Sequence, residues 1–189
     1  MKQNKEKKII GITGRTATGK STLAGIFEQK GFTLIDADVI YHKLLKESAK
    51  MRRELIEFFG TLNGKEILNE IYKNSMKLAK LNDITHKYVT DIIKETIESN
   101  PVTKYILDVP VPVQEGFVEL CDLILVTDCS EKTQVERLIR RNKINKDEAV
   151  KRMNLQMKRE EYIKIGHIII NTENMNREEL GRIAVGIAD

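Results

Sequence analysis

The stretch Ile9-Ile10-Gly11-Ile12-Thr13-Gly14-Arg15-Thr16-Ala17-Thr18-Gly19-Lys20-Ser21-Thr22 decides how the chain is read. From Gly14 to Ser21 it fits G-x-x-x-x-G-K-S/T at every fixed position, the pattern of a loop whose backbone N–H groups wrap a polyphosphate. Gly14 and Gly19 let the main chain turn and approach the phosphates with no Cβ in the way. Lys20 then lies along the β- and γ-phosphates, and the Ser21 hydroxyl holds Mg²⁺. The pattern has meaning only between a buried strand and a helix. Ile9 to Thr13 is apolar enough for the strand, and Ser21 to Phe27 has the spacing of the helix. The unpaired N–H groups and dipole at the helix start attract anions independently. The expected nucleotide contacts are therefore Gly14, Arg15, Thr16, Ala17, Thr18, Gly19, Lys20, Ser21 and Thr22.

The totals bound the rest. A chain of 189 residues buries a core as one body with small subdomains at most, and 32% charged against 41% hydrophobic residues suits a soluble globular protein. A formal charge of +4 favours anionic partners only weakly, and a nucleotide satisfies it as well as RNA does, so no nucleic acid is expected. Cys121 and Cys129 lie around an apolar strand pattern without a second cysteine or a histidine at metal-ligand spacing, which reads as two thiols in a reducing compartment. The first eight residues are too polar for a signal peptide, and no apolar run reaches the ~20 residues of a membrane span. The expectation is a cytoplasmic enzyme, free of membrane, as a monomer or weak homo-oligomer.

Beyond the loop, Gly31 stops the first helix, and Phe32-Thr33-Leu34-Ile35 reads as a second buried strand that ends in Asp36-Ala37-Asp38. Ligands of parallel α/β sheets gather at strand carboxyl ends, which brings both carboxylates near the phosphate loop. Asp36 reads equally well as a helix N-cap, and Asp38, one turn in, is the better candidate for chemistry. From Val39 to Asn100 the pattern is helical throughout, with a long apolar stripe through Ile84, Tyr88, Ile92, Ile93 and Ile97. His86, on the polar side of that stripe, reads by itself as a solvated or locally bonded residue. Lys104 to Asp108 returns to strand, and its closing aspartate either positions Mg²⁺ or turns the chain into Val109-Pro110. Cys121 to Thr127 is a further strand. Glu131 to Arg141 is a helix carrying Arg137, Arg140 and Arg141, whose planar guanidinium groups suit transferring phosphates but equally suit a solvated face. Lys146 to Lys158 continues as one helix, His167 to Asn171 is a last strand, and Arg177 to Ala188 a closing amphipathic helix. The fold class that follows is α/β, a parallel sheet covered by helices on both faces with a helical insertion.

In the order and spacing of these features, from Ile9 to about Leu180, the chain resembles the dephospho-CoA kinase family. The features similar to the family are the phosphate loop, Ile35-Asp36-Ala37-Asp38, Ile84-Thr85-His86, Asp108-Val109-Pro110, Arg137-Leu138 with Arg141, Gln156-Met157, and the strand that ends in Asn171. The resemblance implies a phosphate-loop NTPase kinase core made of residues 1–38, 101–136 and 160–189. It adds a helical CoA- or acceptor-binding domain at 39–100 and a small helical lid at 137–159. The implied reaction is ATP-dependent phosphorylation of the ribose 3′-hydroxyl of dephospho-CoA, giving coenzyme A and ADP with Mg²⁺ as cofactor. In that reading Asp38, Lys20 and Arg141 are catalytic. Arg137, Arg141 and Asn171 join the loop in binding ATP, while Asp38, His86, Asp108 and Gln114 bind the acceptor, and Ser21 with Asp108 places the metal. Three features depart from the family pattern. Arg15-Thr16-Ala17-Thr18 stands where small residues and a further glycine are usual, His86-Lys87 replaces His-Pro, and Gln114 replaces a carboxylate. These departures keep open a kinase for another phosphorylated acceptor, such as a nucleoside monophosphate, or a non-catalytic nucleotide-binding regulatory protein.

Overall fold

The structure, a computed structural model, describes residues 7–110 and 116–188. Gln114 therefore lies outside the described residues. The chain opens with β1 (Lys8–Thr13), the phosphate loop, α1 (Lys20–Gln29) and β2 (Thr33–Asp36). Gly31, at φ +86°, supplies the left-handed turn that ends α1. Four helices follow without a strand: α2 (Ala37–Glu47), α3 (Ala49–Phe59), α4 (Gly64–Lys73) and α5 (Ser75–Ser99). Each begins on a side-chain cap, from Asp36, Ser48, Asn63 and Asn74 respectively, so short polar residues divide this run into helices. The second half alternates: β3 (Lys104–Asp108), α6 (Phe117–Leu120), β4 (Leu123–Asp128), α7 (Glu131–Asn142), α8 (Lys146–Asn154), α9 (Arg159–Ile165), β5 (Ile168–Asn171) and α10 (Arg177–Ala188).

The five strands form one parallel sheet in the order β2-β3-β1-β4-β5. From β1 the chain goes out to the edge as β2 and returns beside β1 as β3, then crosses to β4 and runs outward to β5 on the other side. β1 is the point at which this direction switches, and the crevice there is where open α/β sheets bind ligands. Alternation along the strands separates two cores. Ile10, Ile12, Ile106 and Leu125 face α1 and α10 through Leu23, Phe27, Leu180 and Ala184. Tyr105 and Leu107 face the opposite way, against Val89, Ile93 and Ile97 of α5 and Phe117 of α6. A satellite cluster of Met51, Leu55 and Ile84 binds α3 to α5.

Two segments differ from the expectation drawn from sequence. The strand expected at Cys121–Thr127 runs Leu123–Asp128, because Cys121 closes the short helix α6. The single helix expected over Lys146–Lys158 ends at Asn154, and a separate α9 starts at Arg159 with Glu161 accepting from the Lys158 N–H at 2.7 Å. The break lets α9 bury Tyr162 against Ile124 and Val126 of β4, a tertiary contact that helical periodicity does not reveal. Lys87, in place of the family's proline, has a structural account: α5 passes through it unbroken, and its ammonium pairs with Glu54 of α3 at 2.7 Å. Both cysteines are free thiols, and among the described residues no helix is long and apolar enough to cross a membrane.

Gly11 in β1 shows how closely the second core is packed. A Cβ there would stand 2.7 Å from Cys121 Sγ and 2.9 Å from Phe117 Cζ. Gly11→Ala is expected to lower the unfolding free energy by about 1–3 kcal/mol through overpacking, measured as a reduced urea midpoint at unchanged m-value.

Candidate active site

The site is built at the carboxyl ends of the strands. Gly14 takes φ +139°, and a Cβ on it would lie 2.3 Å from the Thr127 carbonyl, so the loop passes over β4 at backbone contact. Ala17 at φ +60° and Gly19 at φ +101° complete the alternating backbone that turns successive N–H groups to one side. The later half of the loop is held by the sheet. Thr18 Oγ1 lies 2.7 Å from Thr127 Oγ1 and donates to the Arg15 carbonyl at 2.7 Å, while Thr172 Oγ1 donates to the Thr18 carbonyl at 2.7 Å.

Lys20 Nζ curls back onto the loop, donating to the carbonyls of Gly14 at 2.8 Å and Arg15 at 3.1 Å. Burial pushes its ammonium below the usual lysine range, opposed by the charges of Asp108 and Asp38. Ser21 Oγ donates to Asp108 Oδ2 at 3.3 Å. Asp108, only 7% exposed, is pushed up to about 6 by burial, with Lys20 pulling the other way. The β2–β3 register places Asp36 beside Asp108, but Asp36 spends Oδ1 on the N–H groups of Asp38 and Val39. The N-cap role holds for Asp36. Asp38 keeps an edge open to solvent yet is crowded by protein, so desolvation, and next the Asp36 charge, raises it while Lys20 and His42 oppose.

Two openings lie beside these residues. One is a cationic cleft beside the loop, walled by Arg137, Arg140 and Arg141 from α7 and by Thr172, Met175 and Arg177. Arg137 is pinned by bonds to the Ala17 carbonyl at 3.2 Å and the Thr172 carbonyl at 2.7 Å, and Arg141 reaches Thr16 Oγ1 at 3.4 Å. The other is a mainly apolar cavity of about 790 Å³ under α2 and α5, lined by Asp38, Tyr41, His86, Val89, Val109 and Phe117 among others. His86 is half-buried on that wall rather than solvated. Asp38 lines the cavity and senses the Lys20 charge of the cleft, so one carboxylate stands at the junction of two binding volumes.

A family model described as dephospho-CoA kinase matches residues 8–178. The chain belongs to the dephospho-CoA kinase family. A dephospho-CoA kinase of Fusobacterium nucleatum is 36% identical over 180 residues, covering 91% of this chain and 92% of the relative. One of Carboxydothermus hydrogenoformans is 34% identical over 178 residues, 86% of this chain and 84% of the relative. A solved Thermus thermophilus protein superposes with a TM-score of 0.80 at 22% identity over 97% of each chain, and a dephospho-CoA kinase from Campylobacter jejuni with 0.63 at 24% over 96% of each. At those identities the two structures speak for the fold.

Placed in this member of the dephospho-CoA kinase family, the residues read from sequence separate into groups. Lys20, Ser21, Asp38 and Asp108 come together, with Arg137, Arg140 and Arg141 across the cleft. Arg15 turns away: its buried guanidinium donates to Glu131 Oε1 at 3.0 Å and to the Met153 carbonyl at 3.1 Å. The Asn171 amide oxygen accepts from the Glu173 N–H at 3.0 Å, and the neighbouring Thr172 lines the cleft. Sequence reasoning passed over Thr172, Thr127, Met175 and Arg177. The available signal was a hydroxyl at or just after the end of each of the strands β4 and β5.

Asp108 generates a pH test. A carboxyl held at about 6 when folded and near 4 when unfolded stabilises the fold below pH 4, and that contribution is lost as pH rises through 6. Asp108→Asn, neutral throughout, is expected to be more stable than the parent at pH 7 by about 1–3 kcal/mol and by much less at pH 4. Urea unfolding of nucleotide-free protein at the two pH values checks it; an equal difference at both would remove the burial argument.

Proposed function

We infer that the chain transfers the γ-phosphoryl group of ATP to the ribose 3′-hydroxyl of dephospho-CoA, giving coenzyme A and ADP. The observation that carries the reading is the position of Asp38, which faces the apolar cavity on one side and the phosphate-loop lysine on the other. In this reading ATP lies in the cationic cleft, its phosphates in the loop from Gly14 to Thr22, and the acceptor enters the cavity past His86. Asp38 takes the 3′-hydroxyl proton as the oxygen bonds to the γ-phosphorus. The bond from that phosphorus to the bridging oxygen breaks, leaving its electron pair on ADP. A carboxylate raised by burial is a better base than a free one, which suits it to the task.

Lys20, Arg137 and Arg141 neutralise the charge spread over the transferring group, and groups of this kind contribute roughly 10³-fold or more to the rate. Arg15, engaged with Glu131 and Met153, serves the nucleotide through its main chain. Ser21 and Asp108 offer adjacent hard oxygen donors, and among the described residues no cluster forms an all-protein metal cage. That donor set would suit Mg²⁺, which Ser21 and Asp108 would hold and which would supply charge neutralisation beside the phosphates. Residues 39–100 act as the acceptor domain and 137–159 as the lid, the remainder being the nucleotide core. We place the reaction in the cytoplasm, where free thiols stay reduced.

ADP formation with ATP and Mg²⁺ tests the reading against dephospho-CoA, AMP, CMP and no acceptor. Turnover with dephospho-CoA alone is expected; faster turnover with a nucleoside monophosphate reassigns the acceptor. Asp38→Asn is expected to lower kcat by about 10²–10⁴-fold while ATP affinity stays within a few-fold. Near-parental turnover in that variant would show that Asp38 is not the base.

A further inference from the structure

The peptide unit joining Arg15 to Thr16 is held at both ends. Its N–H, on Thr16, donates to the side-chain Oε1 of Gln156 at 2.7 Å. Its carbonyl, on Arg15, accepts from Lys20 Nζ at 3.1 Å and from Thr18 Oγ1 at 2.7 Å. In a trans peptide the N–H and C=O point in opposite directions, so whatever fixes one fixes the other. An acceptor that draws the N–H out toward the lid side aims the carbonyl in toward the lysine.

We propose that Gln156 is a positioning residue for the phosphate loop: by accepting the Thr16 N–H it sets the Arg15–Thr16 peptide plane and, through the Arg15 carbonyl, the place of the Lys20 ammonium. The inference deepens the nucleotide half of the function proposed above and is independent of which acceptor is used. Gln156 sits just after α8, and its N–H donates to the Met153 carbonyl at 3.1 Å. Met153 is also where the loop is tied a second time, since the same carbonyl accepts from Arg15 at 3.1 Å. Arg141 touches Thr16 from α7, and Arg137 holds the Ala17 carbonyl. Residues 15, 16 and 17 therefore each bond to the α7–α8 segment, whereas Thr18 is held by the sheet through Thr127 and Thr172. A loop assembled in this way meets ATP with its carbonyls and lysine already arranged. Without Gln156 the Thr16 N–H lacks its acceptor, the peptide is free to rotate, and part of the binding energy goes into ordering it.

Gln156→Met keeps length and shape but removes the acceptor, and Gln156→Glu keeps the acceptor. In the acceptor-free protein, Gln156→Met is expected to weaken ATP binding about tenfold by calorimetry, the equivalent of one net hydrogen bond. The Thr16 amide proton should move upfield and lose exchange protection in that variant, and stay downfield and protected in Gln156→Glu, whose charged acceptor keeps the bond. With ATP saturating, kcat should fall no more than about threefold and the KM for dephospho-CoA should stay within twofold. An ATP affinity and Thr16 amide unchanged in Gln156→Met would overturn the inference. So would an equal rise in both substrates' KM with a lower Tm, the mark of general loosening. A parent that fails to phosphorylate dephospho-CoA, but whose ATP affinity still responds to Gln156→Met, would overturn the acceptor reading and support this one.

Discussion

Parallel pairing of β1 with both β3 and β4 is the constraint on which the rest depends. A strand paired on both sides has no freedom at its carboxyl end except to leave the sheet, and the loop that leaves must find partners for N–H and C=O groups the ladder no longer serves. The neighbouring strands supply them. Thr172, just past β5, donates to the Thr18 carbonyl, while Thr127, last but one in β4, and Asp108, at the end of β3, meet the side-chain hydroxyls of Thr18 and Ser21. Switching direction at β1 leaves a crevice that neither α1 nor α5 fills, and that crevice is where the cleft and the cavity lie.

Electrostatics within the crevice follow from the same crowding. Burial disfavours ionisation of Asp38 and Asp108, and the Asp36 charge adds to that effect at both. Lys20 opposes the rise but is itself depressed by desolvation, so no group in the cluster compensates another completely. A cluster left in that condition favours a ligand that brings both anionic phosphates and a cation. Asp36 takes the α2 cap, which leaves the next acid along, Asp38, at the open edge.

The α7–α9 region is tied to the core at its roots. Glu173, just past β5, accepts from the Ser130 N–H, the Ser130 hydroxyl and the Thr133 hydroxyl, and those bonds hold it down at about 2. The α7 N-terminus is thereby fixed to the turn that also carries Thr172. Beyond α8, Arg159 forks onto Asp128 at the end of β4, and Tyr162 donates to the Pro110 carbonyl at 2.8 Å. Between those roots the contacts run to the phosphate loop, through Arg137, Arg141, Arg15 and Gln156. These bonds join the segment to the phosphate loop.

The strand–loop–helix, the α/β class and the placing of Lys20, Ser21, Asp38 and Asp108 at the carboxyl side of the strands were legible because each depends on local order: a strand, a turn and a helix, or an acid at the end of an apolar run. The dual reading of Asp36 was also local, and the cap geometry resolved it. Periodicity could not separate α8 from α9, since the break is favoured by Tyr162 reaching β4, a partner distant in sequence. Nor could it place Arg15, whose position inside the motif suggests phosphate while its guanidinium turns to Glu131 and Met153. His86 reads as solvated or locally bonded from its place on the helix, and its place on the cavity wall appears only when α2 packs beside α5. The sequence by itself determined which backbone would wrap phosphate and which acids would end the strands, because spacing along one chain suffices for both. Only the tertiary structure decided which side chains hold the loop in shape, because Gln156, Thr172 and Arg137 reach it across more than a hundred residues of intervening chain.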